Sequence, residues 1–445
     1  RSFNYILAPT FFRRVLAFEG SLIQRFVTVV RVLLVRGTRF VWYRTLYSII
    51  SSCILTLFAC TWTSIHLNIS CHSPRAGIIL AALVAPKLVI LWAMRQIFHA
   101  GKFVNKFNDE LFKGESIREP GLPLSVTGSF RWSRTHGFFA MMGGFILYYN
   151  GQPHHTLPDE LFDFILSGRV DQNQAVEITG DEIKDKSKRD VVSKAVLVLQ
   201  ITWFLTQYVT RYIKHLVITQ LEVGTLAFAV LNIITCCFWW KKPLNVQRPH
   251  RVYFKDEVQE PCNIKERGDS DEWDTPIYRV FGPFFGMLGG LVDHKDDLKL
   301  YYEPLRVPTF LPITNAFNCK RDTKIISLVG LVVMVIFGGL QFFAWFSLFP
   351  THLEQGEYAH HHWLTFVCCP VHAARLYRRR RNGGGVGLFL FFILPVIYFV
   401  ARIVLLTHMV IDLRSLLSDA YKQYLGYISF LICSNLYLLG LFATP

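Results

Sequence analysis

Charge is scarce in this chain. Asp, Glu, Lys and Arg make up 18% of its 445 residues, against about 25% in ordinary soluble domains. Hydrophobic residues make up 52%, which excludes a disordered polypeptide. With 29 Gly and 10 Cys, collagen-like and disulfide-framework classes are excluded as well. No Cys-x-x-Cys pair occurs, which removes the usual structural zinc site. Phosphate-binding glycine loops, the Gly-x-Ser-x-Gly elbow and His-Glu-x-x-His are all missing. Those absences argue against a nucleotide-driven pump and the familiar membrane hydrolases. His154-His155, the triplet His360-His361-His362 and His372 lack the spaced histidine boxes that surround a di-iron centre. The sequence therefore leads us to expect no metal and no cofactor.

What the chain has in abundance is long apolar runs. A spanning helix needs roughly 20 mostly apolar residues. Candidates are Tyr47–Leu67, Gly77–Phe98, Val191–Tyr212, Val217–Trp240, Ile325–Phe349, Val386–Ile411 and Tyr421–Phe442. The expected fold is an all-α polytopic transmembrane bundle of seven or eight spans. Residues 1–46 form a basic interfacial segment, 47–98 the first two spans and 191–240 the next two. Cytosolic helical stretches fill 99–190 and 241–324, and the remaining spans with the basic loop 350–385 fill 325–442.

Lys and Arg near span ends set orientation. Residues 1–46 hold eight Arg against one acid, Glu19, which places the N-terminus in the cytosol, in a plasma membrane or endomembrane. The only glycosylation sequon, Asn68-Ile69-Ser70, then falls on the outer side. Residues 99–190 and 241–322 return to the cytosol. The run Arg378–Arg381 breaks simple counting. Either 363–374 is an extra short crossing that returns it to the cytosol, or the run is outside. No cleavable leader is expected, and the missing initiator Met leads us to expect residues upstream of Arg1.

Two segments are alike: His136–Phe145 (HGFFAMMGGF) and Gly282–Leu291 (GPFFGMLGGL). Each follows a pair of candidate spans, as in a parallel duplication. The segments 136–149 and 281–292 are too short to cross. Gly143, Gly144, Gly289 and Gly290 suit either re-entrant pore elements or close packing outside the membrane.

Several stretches resemble a family of multi-span integral membrane proteins of filamentous fungi to which no activity is attached. They are Ala82–Gln96, Thr135–Phe145, Glu182–Phe204, Leu216–Val246, Phe349–Gln355 and Tyr398–Tyr421. The resemblance implies a fungal source and a polytopic fold. Lys87 is a departure from it, since an acid is expected at that position.

Ionisable groups in spans cost about 2.5–3.5 kcal/mol near a helix centre, so they are candidates for function. Transport-path candidates are Lys87, Gln200, Gln207, Arg402 and His408. Arg211 and Glu222 flank a tight turn and are placed to pair. Cys236 and Cys237 suit S-acylation near a membrane surface or plain apolar packing. The formal net charge of +15 reads as topology and attraction to anionic lipid head groups, with no role in binding nucleic acid. The expected function is a channel or secondary transporter, homo-oligomeric and open to anions, without covalent catalysis. The alternatives are a non-transporting scaffold or signalling protein that binds lipids or partners, and a lipid-modifying enzyme.

Overall fold

The computed structural model describes residues 41–65, 68, 75–116, 131–149, 151–156, 178–187, 189–244, 246, 248–253, 287, 320–342, 356–361, 363–365, 385–416 and 418–424. Helix dominates. Helix α1 spans Leu46–Ser64. The Thr45 hydroxyl starts it by accepting from the Ser48 N–H at 3.2 Å, satisfying one of the unpaired first-turn donors. Its threonines return their hydroxyls to the helix's own carbonyls, Thr56 to Ser52 at 2.7 Å and Thr63 to Ala59 at 2.6 Å. The polar groups are thereby silenced, and Ile54, Leu55, Phe58 and Trp62 form an exposed apolar face.

The second expected span is not one helix. Helix α2 (Arg75–Val84) and helix α3 (Pro86–Ser116) meet at Ala85 and bend by 112°. Pro86 causes the break. It has no N–H to give the preceding turn, and it disfavours helical backbone at Ala85. It then starts α3 comfortably, because first-position N–H groups are unpaired in any helix. The stranded Val84 carbonyl accepts from the Tyr398 hydroxyl at 3.2 Å.

Helices α4 (Arg134–Met141) and α5 (Gly180–Asp185) are short. Helix α6 (Arg189–Ile213) and helix α7 (Gln220–Phe238) form a hairpin, followed by α8 (Lys320–Phe342) and α9 (Gly385–Ile411). Directions follow from contacts. Arg44, just before α1, bonds Glu222 in the first turn of α7. Cys60, late in α1, clusters with Ala229 further along α7. So α1 and α7 run the same way, and α6 returns between them, its Gln200 donating to Thr56 of α1 at 2.9 Å. Ile90 of α3 clusters with Ala227 and Leu231, and Gln96 accepts from the Trp239 indole at 2.9 Å. The first half of α3 therefore runs alongside the second half of α7. Helix α2 dips from the end that α1 reaches, and α3 climbs back to that same end.

Two small sheets correct the all-α expectation. Strands β1 (Val41–Tyr43) and β5 (Lys422–Tyr424) pair antiparallel, Val41 opposite Tyr424. Strands β2 (Phe145–Tyr149), β3 (Gln152–Thr156) and β4 (His250–Tyr253) form a sheet of order β3-β2-β4, with β2 parallel to β4. The aromatic and branched run of β2 suits a half-buried strand. The first pair sits at the start of α7 and the mixed sheet beyond its end, so about 28 Å of helix separates them at 1.5 Å per residue. The sequence placed 1–46 and 99–190 on one side of a membrane, whereas β1 and the mixed sheet lie at opposite ends of the bundle.

The number of spans is also corrected. Among the described residues three helical windows are long and apolar enough to cross a membrane: Leu46–Thr63, Gln220–Trp239 and Val396–Arg414. The bent pair would be a fourth if taken as one span. Helix α6 falls short because Gln200, Gln207 and Arg211 dilute it, and the apolar part of α8 is only Leu328–Phe342. The expected seventh span, Tyr421–Phe442, lies outside the described residues beyond Tyr424, as do most of 1–46 and the Arg378–Arg381 run.

The segment 136–149 is a helix, a glycine turn and a strand. Gly143 has φ +79°, a conformation that favours glycine. A Cβ on Gly144 would lie 2.5 Å from the Phe139 carbonyl oxygen. Packing outside the bundle therefore explains these two glycines. Gly289 and Gly290 lie outside the described residues.

His136 holds this unit together. Its Nδ1 accepts from the Ser133 N–H at 3.1 Å, so Nε2 carries the proton and donates to the Ile178 carbonyl at 2.9 Å. Burial pushes its pKa down, against the raising effect of those backbone bonds. The unfolded chain then binds the proton more readily than the folded one, so stability rises with pH across that window. We expect the sheet unit to lose stability as pH falls below the ordinary imidazole value of about 6.5. Thermal unfolding of His136→Gln should show a weaker pH slope there than the parent chain; equal slopes would exclude His136 as the cause.

Candidate functional site

The first candidate lies in the bundle interior at the bend between α2 and α3. Lys87, the second residue of α3, is 3% exposed, and Arg402 of α9 is 2% exposed. Both press on one ring. The Lys87 Nζ and the Arg402 guanidinium carbon each lie 5.1 Å from the Phe337 ring centroid. Lys87 also sits 5.9 Å from the Tyr398 ring. A cation over an aromatic face gains about 0.5–2 kcal/mol, which offsets only part of the cost of burying charge. The Nε and Nη1 atoms of Arg402 have no hydrogen-bond partner.

Acids are few along these helices, although Asp412, just past the end of α9, acts on the same Tyr358 hydroxyl as Arg402. The stretches 75–108, 191–213, 323–342 and 385–411 contain no Asp or Glu. Arg95, two turns above Lys87 on α3, is 5% exposed and donates to the Met287 carbonyl at 3.0 Å, leaving Nε without a partner. At the same end Lys242 is 1% exposed. It donates to Gln96 at 2.9 Å and lies 4.9 Å from the Trp239 ring.

The second candidate is a cluster at the other end of the bundle. Glu222 accepts from Arg44 at 2.6 and 3.3 Å. Arg211 Nε lies 3.8 Å from the same carboxylate. Both ion-pair partners of Glu222 have side chains 5% exposed. Glu222 also caps α7 by accepting from the Thr219 N–H at 2.9 Å, while Thr219 Oγ1 accepts from the Glu222 N–H at 3.2 Å. This is the reciprocal capping box. Arg44 and Arg211 further donate to the Ala420 carbonyl at 2.9 and 3.0 Å, and Arg211 also bonds the Val217 carbonyl. Every direction of the carboxylate is thus occupied, so the cluster is built to hold α1, α6 and α7 together.

The other sequence candidates scatter. Gln200 pairs with Thr56, and Gln207 is half-buried on α6. His408 lies near the end of α9 with its Nε2 3.7 Å from Glu357. Gln200 and His408 thus lie with other partners than Lys87 and Arg402. Asn68 is buried, which is not how a glycan acceptor is presented. Cys236 and Cys237 are half-buried thiols, with Cys236 packed beside Cys60 and Leu197. Among the described residues no three His, Cys, Asp or Glu side chains are grouped to hold a metal.

Sequence reasoning missed Arg44, Arg95 and Lys242. Arg44 was counted with the N-terminal arginines. Arg95 had a readable signal, eight residues after Lys87 inside a candidate span. Lys242 lies just past a span and looked exposed; only the packing of Trp92 and Trp239 around it shows otherwise.

The profile of a family of unknown function (DUF8562) matches residues 39–264. That stretch begins before β1 and ends after β4, so it covers both ends of α7 and the bend at Pro86. No curated protein and no solved structure matches the chain.

Proposed function

Because the chain belongs to the family of unknown function DUF8562, whose description names no activity, we propose from its own architecture that it is a membrane-embedded anion channel or secondary transporter. The observation that carries this reading is the buried cationic pair Lys87 and Arg402, which meet at the Phe337 ring beside the α2–α3 bend. Basic residues along a path select for anions. Broken helices inside a membrane bundle occur where a cavity or protein satisfies the freed backbone. Lys87, Arg95 and Lys242 extend the positive series from the bend toward the mixed sheet.

The membrane itself is supported by outward faces. Ile54, Leu55, Phe58 and Trp62 on α1 are 43–58% exposed. Leu328, Leu331, Val332 and Val335 on α8, and Val396, Val400 and Val410 on α9, are exposed alike. Water would not tolerate such continuous apolar faces on a monomer; bilayer hydrocarbon or a second copy covers them. The resemblance to multi-span proteins of filamentous fungi agrees. In this reading α1, α7 and α9 cross, α6 runs back beside α1 and α7 with its polar residues turned to them, and α2 with the first half of α3 forms a re-entrant hairpin.

The test is anion flux into liposomes containing the purified full chain. Halide flux is expected, and Lys87→Ala and Arg402→Ala are expected to reduce it by about tenfold or more, the size of a lost charge-assisted contact. Silence across common anions and cations, with the protein folded, would overturn the reading.

A further inference from the structure

We propose that the short helical stretch 356–361 is a proton-operated cap on the β1–β5 end of the bundle, released when His361 gains a proton. The release stands apart from the transport reading; only its consequence rests on that reading, in which it opens a gate. Tyr358 anchors the cap. Its side chain is 1% exposed and clusters with Val223 of α7 and with Leu405 and Met409 of α9. Its hydroxyl donates to the Gln341 carbonyl near the end of α8 at 3.2 Å. One side chain thus ties three helices to a stretch that belongs to none of them. Six residues are too few to stay helical alone in water, so the stretch keeps its shape only while docked.

Imidazoles crowd the docked cap. The His360 and His361 rings stand 5.6 Å apart. His408 of α9 faces them, its Nε2 3.7 Å from the Glu357 carboxylate. His361 is half-buried, and its Nδ1 is shut from water without a hydrogen-bond partner. A neutral ring leaves that nitrogen as a bare acceptor. An imidazolium makes it a charged donor with nothing to receive its proton. Burial, then the neighbouring His360 and His408, hold the His361 pKa below its ordinary value, and Glu357 pulls it back only in part. The undocked chain therefore takes up the proton first. Docking is strongest above the ordinary imidazole value of about 6.5 and weakens as pH falls below it. Among the described residues the other charged groups at this end do not reverse that sign. The Glu357 side chain is 63% exposed, so its attraction for a charged His408 is screened. Arg402 and Asp412 bring opposite charges to Tyr358. Glu222 of α7 is engaged by Arg44 and Arg211, and Tyr208 of α6, which borders the cluster, is a neutral phenol in this pH range.

The experiment is hydrogen–deuterium exchange of the purified full chain in detergent, read on peptides covering 356–365 and corrected for the intrinsic pH dependence of amide exchange. One proton taken up on release shifts the equilibrium by at most about tenfold per pH unit. Between about pH 7.5 and about pH 5.5 the corrected exchange of 356–361 is expected to rise at least about fivefold, while α7 stays protected. His361→Gln should remain protected at both pH values, and Tyr358→Ala should exchange fast at both. Equal protection of the parent at both pH values overturns the proposal, as does a rise that persists in folded His361→Gln. If His361→Gln fails to fold, His408→Gln takes its place. It removes a facing imidazole and should cut the rise by about half or more; an unchanged rise overturns the proposal. Parent-like protection in Tyr358→Ala overturns it too, because the stretch is then held by something other than its anchor. Release in acid by a chain that passes no ions would leave the cap standing and sink the transport reading. Anion flux through a chain whose 356–361 stretch ignores pH would do the reverse.

Discussion

Glu222→Ala is expected to destabilise the bundle more than any other single side-chain deletion at its β1–β5 end. The carboxylate neutralises Arg44 at 2.6 Å and lies 3.8 Å from Arg211, and it caps α7 through the Thr219 N–H. Removing it leaves two guanidinium groups buried side by side. Breaking a buried pair by deleting one partner costs about 3–5 kcal/mol, and losing a cap costs about 1 kcal/mol more. Arg44→Ala should cost less, because Glu222 then still has Arg211 and the cap. The order matters more than the values: Glu222→Ala below Arg44→Ala, and both below the parent, in thermal or denaturant unfolding of the purified chain. A Glu222→Ala chain as stable as the parent would mean that the cluster does not hold α1, α6 and α7 together.

Part of this was legible in the sequence. The helical character of 47–64, 191–212 and 217–238 followed from long apolar runs. The closeness of Arg211 and Glu222 followed from a turn too short to separate them. Other features depend on contacts that no local pattern encodes. Arg44 reaches Glu222 across 178 residues of sequence. The strand Phe145–Tyr149 was read as the tail of an apolar Phe-Gly-Gly segment, because its partners, 152–156 and 250–253, are polar and distant. Pro86 does not by itself announce a break. A proline inside an apolar run can kink a spanning helix or end it, and only the Tyr398 hydroxyl waiting at the Val84 carbonyl distinguishes the two. Among the candidate site residues, Lys87 and Arg402 are 315 positions apart, and nothing in either local sequence announces that they share Phe337.

The proposed re-entrant hairpin carries a topology with it. If α2 and α3 together crossed the membrane, the chain would return to the side of β1 before reaching the mixed sheet. Because α3 climbs back to the end from which α2 entered, we propose that α1 makes the net crossing and that β1 and the mixed sheet face opposite compartments. Arginine counting treats the bent pair as a full span and puts both stretches in the cytosol instead.

Single cysteines at Tyr43 and Tyr253, 71% and 44% exposed, placed in a chain with its native cysteines replaced, test this most directly. They are labelled with a membrane-impermeant maleimide on sealed vesicles before and after permeabilisation. The account predicts that one labels on the intact vesicle and the other only after it is opened. Labelling of both from the same side would contradict the re-entrant hairpin and, with it, the placement of Lys87 and Arg402 at the heart of a membrane bundle.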